Sequence, residues 1–306
     1  MGPDQINQRV LIQLATAAVS ILAAVFNKSL HSGEVFEDWR KANVAPIFKK
    51  GKRYNAENYR PILLTCIASK IMEHIVTKHI MKHLECNNIL YMLQHGFRAK
   101  RSNETQLLTF VQDLYKNLRD NSQTDVIVMD FAKAFDKVSH KKLIRKLRGY
   151  GINSSINQWI ESFLHQRQRR AVCEGKISSW VSVTSGVPQG SLIGPILFLV
   201  FINDLPAKLQ SKVRLFADNT ILYMAVTNET DAAILQKDLN FLKNGKIDHR
   251  CPSTWTSVMC QESHGAGTPS PMITSYTTKS LKTKMQLNIL ASLYTIRCLG
   301  TNIYAL

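Results

Sequence analysis

Two aspartates, each next to an apolar run, are the residues of this chain best suited to chemistry. Asp130 follows the apolar run 126–129, whereas Asp218 lies in a polar turn, with Ala217 and Asn219, between two strand-like runs. This pattern predicts a buried strand and, further along the chain, a hairpin. If the two elements lie side by side, both carboxylates reach one site. Their oxygens suit Mg²⁺, and two such ions can hold the attacking and leaving oxygens of a phosphoryl transfer.

Each aspartate has an alternative role as a turn or capping residue, which is the commoner role of Asp at a strand end. A third stretch, residues 185–205, favours the catalytic interpretation. It reads SGVPQGSLIGPILFLVFINDL, in which Gly186, Gly190 and Gly194 permit close backbone approach. Pro188 stiffens the same loop. A glycine-rich loop between two carboxylate-bearing strands is a natural seat for a nucleotide and a template base.

The three stretches DFAKAFDKV, SGVPQGSLIGPILFLVFINDL and FADNT resemble, in order and spacing, the palm motifs of a known family. That family is the reverse transcriptases of non-long-terminal-repeat (non-LTR) retrotransposons, in the jockey-like branch of the long interspersed elements. Upstream, WRKANVAPIFKKGKRYNAENYRPILLT and QHGFRAKRSNETQLL resemble its finger motifs. The resemblance covers residues 2–243 and implies an α+β, right-hand polymerase with fingers and palm and with the thumb missing or not recognisable.

The resemblance also implies a division of the chain. Residues 1–118 are expected to form an N-terminal extension and the fingers, and residues 119–243 the palm with its three catalytic motifs. Residues 244–306 match no part of the family and are expected to be a divergent tail, frameshifted or disordered, as in a truncated copy of a mobile element.

The implied activity is RNA-directed DNA synthesis, in which a primer 3′-OH attacks the α-phosphate of a deoxynucleoside triphosphate. The implied cofactors are two Mg²⁺ ions, with Mn²⁺ as a possible substitute, held by Asp130, Asp218 and the backbone of Phe131. The implied partners are an RNA template, a DNA primer and deoxynucleoside triphosphates, with no membrane. The oligomeric state is left open.

Two further groups of residues follow from the resemblance. Phe135 matches the bulky residue that excludes a ribose 2′-OH, although composition alone equally allows a core aromatic. The basic turn at 49–53 is expected to approach the triphosphate, with a solvated loop as the alternative. The nucleotide group is Lys49, Lys50, Arg60, Phe135, Gln189 and Gly190, and the template and primer group is Phe97, Arg98, Arg101, Gly186 and Pro188.

One position departs from the family pattern. Where the family has a second Asp after Asp218, this chain has Asn219. Its amide oxygen can still coordinate a cation, more weakly, and the lost charge is expected to cost roughly 10²-fold in rate, about 3 kcal/mol of barrier. The alternatives to an active polymerase are therefore an impaired nucleic-acid-binding remnant and a maturase-like protein that only binds RNA.

The remaining sequence supports an anionic partner in a reducing compartment. The formal charge of +17 predicts salt-sensitive binding of nucleic acid, and six cysteines without a CxxC pair indicate free thiols. The apolar run 10–26 is too interrupted to span a membrane and predicts a packed helix, with Val10, Leu14 and Ile21 on its apolar stripe. No basic segment precedes it, so a secretory signal is not expected. The predicted location is intracellular, in the nucleus or cytoplasm.

Overall fold

The computed structural model describes residues 2–131, 133–243 and the strand 253–261, and in this part of the chain it contains nine α-helices and nine strands. In chain order they are α1 (Gln8–Gln13), α2 (Ala15–Ser32), α3 (Glu37–Arg40), β1 (Lys41–Phe48), β2 (Tyr59–Leu64), α4 (Ile67–Cys86), α5 (Asn103–Arg119), β3 (Gln123–Phe131), α6 (His140–Gly149), α7 (Ser154–Leu164), β4 (Arg167–Cys173), β5 (Lys176–Ile177), β6 (Val181–Val183), α8 (Gly194–Ile202), β7 (Lys212–Phe216), β8 (Asn219–Val226), α9 (Glu229–Lys243) and β9 (Ser253–Gln261). The predicted α+β class is confirmed.

The chain forms two compact units, each made of separate segments. Among the described residues, the first unit comprises 2–90 and 133–203, and the second comprises 91–131, 204–243 and 253–261. The division expected from the motifs, at residues 118 and 243, follows sequence order and stays an expectation. Of the tail expected from residue 244 onward, only 253–261 are among the described residues, and these form strand β9.

The first unit has a mixed sheet and a core built around one apolar helix. The strands follow the order β2-β1-β4-β5, with β6 also paired to β4, and only the β1–β4 pair is parallel. Helix α8 is buried along all of its length except Pro195, as expected for a helix that is apolar all round. In α7 the rings of Trp159 and Phe163 stack with centroids 5.3 Å apart. The apolar run 196–202 therefore belongs to this core.

The helix face predicted from apolar spacing in the N-terminal run is wrong. The N-terminal run forms two helices, and Val10, Leu14 and Ile21 are all exposed there. In the C-terminal half of α2, Ser29 accepts from Trp159 of α7 at 3.0 Å and Phe26 packs edge-to-face on Trp39 of α3, so burial occurs where neighbouring helices lie. No helix among the described residues is long and apolar enough to cross a bilayer.

The second unit is an antiparallel sheet backed by helices. Its strand order is β7-β8-β3-β9, and α5 packs on β3 while α9 packs on β8. Phe110 and Tyr223 meet edge-to-face with ring centroids 5.1 Å apart, and Val126 completes this core cluster. The sheet places the end of β3 beside the β7–β8 turn.

A buried ion pair ties α5 to the hairpin of the second unit. Arg214, which is 3% exposed, donates to Asp113 Oδ2 at 2.8 Å and to the hydroxyl of Tyr223 at 2.8 Å. The Tyr223 hydroxyl donates to the same Asp113 oxygen at 2.5 Å. Burial acts to raise the pKa of Asp113, but these hydrogen bonds and nearby cations outweigh it and hold the pKa below its usual value.

Candidate functional site

The strand end and the turn predicted to carry the catalytic carboxylates lie side by side. Strands β3 and β8 are antiparallel, and Asp130 is paired directly with Asn219. Asn219 is also paired with Phe216 of β7, so that Ala217 and Asp218 form a two-residue turn. Residues directly opposite each other in an antiparallel pair share one face of the sheet. The predicted strand and hairpin are therefore confirmed, and they bring Asp130, Asp218 and Asn219 together.

The electrostatics of Asp218 show that two carboxylates are close. Burial and, to a smaller extent, the negative charge of Asp130 together raise the pKa of Asp218 to about 6. Both effects disfavour the ionised form of Asp218, and no positive charge is among the causes that act on its pKa in the described part of the chain. A divalent cation would supply that charge and restore the ionised form.

The available donors fit a hard cation. Asp130 and Asp218 offer carboxylate oxygens, Asn219 an amide oxygen, and Phe131, the last residue of β3, a backbone carbonyl. Oxygen ligands of this kind suit Mg²⁺, which completes its shell with water and phosphate. The described residues contain no cluster of three or more His, Cys, Asp or Glu side chains that could hold a metal on its own.

The turn that carries Asp218 rests on a segment that the sequence did not single out for support. Gln94 is almost completely buried, and its Oε1 accepts from Ala217 N at 3.0 Å and from Gly96 N at 2.9 Å. Ala217 has a left-handed φ of 53°. The stretch QHGF is visible in the sequence, but nothing in it indicates that Gln94 reaches a turn more than a hundred residues away.

The arginines expected to contact template lie in the same segment. Arg98 donates to the carbonyl of Tyr91 at 3.0 Å and to that of Gln94 at 3.5 Å, and Arg101 donates to the carbonyls of Met92 and Gln94. Both guanidinium groups therefore order the loop that supports the hairpin. Their predicted contact with template stays a prediction, as does that of Phe97, which has a φ of 55°.

In the first unit the glycine-rich loop packs on the turn that carries Phe135. Gly186 N donates to Val138 O at 2.9 Å and Val187 N to Phe135 O at 2.8 Å. With a φ of 87°, Gly186 lies so close to this turn that a Cβ there would be 2.7 Å from the Cα of Asp136. Glycine is required at this position by both the backbone angle and the close approach.

The side chain of Gln189 is held by a residue for which the sequence pattern predicted no role in the site. Its Nε2 donates to Asp136 Oδ1 at 3.1 Å, and Ser185 donates to the backbone carbonyl of Asp136 at 3.0 Å. Gly190 has a φ of 99°, and a Cβ there would lie 3.2 Å from Leu63 O. Asp136 thus orders the loop that contains the predicted nucleotide and template residues 186–190.

Phe135 and the basic hairpin are the other predicted nucleotide residues of this unit. The half-buried ring of Phe135 stacks on Phe198 of α8 with centroids 4.6 Å apart, which fixes its orientation. Lys49, Lys50 and Arg60 are exposed near the tip of the β1–β2 hairpin. A solvated loop and a phosphate-binding loop share this exposure, so the role of these cations stays a prediction.

Comparison with known proteins decides the family. Residues 47–250 match the family model described as "Reverse transcriptase (RNA-dependent DNA polymerase)". The chain belongs to this family. Reverse transcriptases generally use divalent metal ions, in agreement with the oxygen donors that surround the two aspartates.

The curated proteins similar to this reverse transcriptase domain include polymerases of mobile elements. The chain is 28% identical over 242 residues to the RNA-directed DNA polymerase from mobile element jockey of Drosophila melanogaster. This alignment covers 79% of this chain and 26% of the jockey protein. The chain is 29% identical over 237 residues to the jockey protein of Drosophila funebris, covering 77% and 25%. The chain thus spans about a quarter of the length of these relatives.

Solved structures confirm the predicted right-hand polymerase fold. Apo telomerase from Candida tropicalis, truncated from its C-terminal domain, aligns with a TM-score of 0.52 at 12% identity, over 76% of this chain and 52% of that one. Telomerase from Candida albicans in complex with a TWJ fragment of telomeric RNA aligns with a TM-score of 0.53 at 11% identity, over 80% and 46%.

Proposed function

We propose that this reverse transcriptase domain carries out RNA-directed DNA synthesis by adding deoxynucleotides to a primer 3′-OH. The observation that carries the proposal is the direct pairing of Asp130 with Asn219, with Asp218 in the adjoining turn. Three oxygen-bearing side chains on one strand end and one hairpin are the donors that a nucleotidyl transfer needs. The proposed partners are an RNA template, a DNA primer and deoxynucleoside triphosphates.

Asp130 and Asp218 are the proposed ligands of two Mg²⁺ ions, which Mn²⁺ can replace, and the carbonyl of Phe131 is a third donor. When bound, the ions supply Lewis-acid stabilisation of the attacking and leaving oxygens. The contribution of the chain is to hold both carboxylates at fixed positions, through the β3–β8 pairing and the turn, so that no reorganisation is needed during reaction.

The first unit is proposed to bind the nucleotide. Phe135, fixed by its stack on Phe198, is the proposed barrier to a ribose 2′-OH. The loop 186–190 is proposed to contact template and nucleotide, since Gly186 and Gly190 keep its backbone free of side-chain bulk. Lys49, Lys50 and Arg60 are the proposed phosphate contacts, because Lys offers a point charge and Arg a planar fork.

Asn219 supports a second candidate, an impaired nucleic-acid-binding remnant. An amide opposite Asp130 supplies an oxygen but no charge, so the site holds two negative charges where the family pattern has three.

The free thiols Cys66, Cys86 and Cys173 among the described residues support a reducing, intracellular location in the nucleus or cytoplasm.

Primer extension distinguishes the two candidates. The assay uses an RNA template, a DNA primer, Mg²⁺ and all four deoxynucleotides, with the chain as given beside Asn219→Asp and Asp130→Asn. Extension by the chain as given that Asp130→Asn abolishes would support the polymerase. Extension by Asn219→Asp alone would make the chain a remnant disabled at this position. Salt-sensitive RNA binding without extension by any variant would refute the polymerase proposal for this chain.

A further inference from the structure

The β7–β8 turn is supported from one side by the segment 93–96 of the same unit. Leu215 N donates to Leu93 O at 3.0 Å, and His95 N donates to Leu215 O at 2.9 Å. These two bonds align the segment in parallel with β7, so that Gln94 lies opposite Leu215. The segment therefore reaches the hairpin immediately before its turn.

The side chain of Gln94 extends this contact to the turn itself. Its single oxygen accepts from Ala217 N at 3.0 Å and from Gly96 N at 2.9 Å, so one acceptor joins the segment to the residue before Asp218. Because the oxygen accepts two N–H groups, the orientation of the carboxamide is determined. We propose that Gln94 is a positioning residue, whose carboxamide oxygen fixes the turn that presents Asp218. The inference rests on the proposed function.

The chemistry of the site explains why a neutral acceptor is needed. A leucine would leave two buried N–H groups without a partner, which is costly. A glutamate would keep an acceptor but add a negative charge to a region where Asp130 and Asp218 already repel each other. Glutamine is the side chain of this length that accepts without charge. The Nε2 of Gln94 is buried with no hydrogen-bond partner in the described part of the chain, so the carboxamide forms hydrogen bonds there only through its oxygen.

Gly96 gives an independent sign that the contact is close. A Cβ at this position would lie 2.4 Å from Ala217 N, nearer than any side-chain carbon can approach a backbone atom without a shift. Arg98 and Arg101 order the segment by donating to carbonyls of 91–94. The segment is thus a rigid support, and Gln94 and Gly96 are the two residues through which it touches the turn.

Hydrogen exchange of the Ala217 amide tests the contact without any catalytic readout. In the full chain this amide is expected to exchange slowly. Gln94→Leu should accelerate it about 10- to 100-fold, the equivalent of one lost buried hydrogen bond, whereas Gln94→Glu should retain protection. An unprotected Ala217 amide in the chain as given would overturn the proposal, even if Gln94→Leu does not fold. Equal loss of protection in Gln94→Glu and Gln94→Leu would also overturn it.

Steady-state kinetics then test the link to Asp218. In the background that extends primers, either the chain as given or Asn219→Asp, Gln94→Leu should lower kcat about 10- to 100-fold, because a misplaced reacting group loses rate steeply. The KM for the deoxynucleotide should change little, and the Mg²⁺ concentration for half-maximal rate should rise. An unchanged kcat with lost amide protection would overturn the positioning role. If no background extends primers, the proposed function fails, while the exchange result still decides the contact.

Two further variants make the test specific. Gln112 lies exposed on α5 in the same unit, so Gln112→Leu matches the chemical change away from the turn and should alter neither exchange nor kinetics. Gly96→Ala leaves Gln94 in place but pushes on Ala217 from the segment. It should reproduce the raised Mg²⁺ requirement of Gln94→Leu, and wild-type behaviour of Gly96→Ala would contradict the close approach.

Discussion

Asn219→Asp should make the folded state depend on divalent ions. Asn219 lies directly opposite Asp130 and follows Asp218, whose pKa is already raised to about 6 by burial and by Asp130. The variant adds a third carboxylate to this pair. Without a cation, the added repulsion is present in the folded state and largely absent from the unfolded chain, so the free energy of unfolding should fall.

The magnitude follows from the strand pairing. Directly opposed residues have Cβ atoms about 5 Å apart, and two charges at that separation repel by roughly 3 kcal/mol at an effective dielectric constant of about 20. Partial exposure of Asn219 reduces this, so a loss of about 1–3 kcal/mol is expected in a chelator. A cation present at about 100 times its Kd stabilises the fold by roughly 2.7 kcal/mol, enough to recover most of the loss.

Urea unfolding in chelator and in saturating Mg²⁺ measures both quantities. Asn240→Asp is the matched control, because it makes the same charge change at an exposed position of α9 in the same unit. The control should show no gain in Mg²⁺ beyond that of the chain as given. If Asn219→Asp and Asn240→Asp behave alike in both buffers, position 219 does not face a shared cation site and the reasoning is refuted.

Three other predictions concern the stability of each unit and the selectivity for deoxynucleotides. Asp113→Asn should lower the free energy of unfolding by about 2 kcal/mol, since buried Arg214 loses its partner charge. The pKa of Asp113 is lowered on folding, so urea unfolding should show this difference above pH 4. The difference should disappear as the pH falls through the pKa of the folded state. Gly186→Ala should destabilise the fold more than Gly175→Ala. Gly175 has a similar φ of 78°, but a Cβ there would meet no atom within 4 Å. Equal losses of unfolding free energy in urea would contradict the close approach at Gly186. Phe135→Ala should raise the kcat/KM for ribonucleotides relative to deoxynucleotides about tenfold or more, whereas unchanged selectivity would exclude a 2′-OH barrier.

Local sequence was sufficient for the elements that carry the carboxylates. An apolar run ending at Asp130, and two strand-like runs joined by a short polar turn, determine a strand and a hairpin through patterns that operate over a few residues. The pairing of Asp130 with Asn219 then follows from antiparallel register, once the two elements are adjacent.

Periodicity was not sufficient to decide which helix face is buried. Val10, Leu14 and Ile21 lie on an apolar stripe, yet all three are exposed, because burial depends on where neighbouring elements lie. Further along α2, Phe26 is buried against Trp39 of α3, and Ser29 is buried against Trp159 of α7. A single sequence specifies the hydrophobicity of each face but not the presence of a partner beside it.

Sequence patterns alone were enough to indicate the family, the order of the motifs and the identity of the carboxylates. Only the tertiary structure showed that Gln94 supports the turn before Asp218, and that Asp136 holds Gln189. Both contacts join residues more than fifty positions apart through one buried or half-buried polar atom. The pattern of neighbouring residues does not encode such a contact, because its partner is supplied by the packing of distant segments.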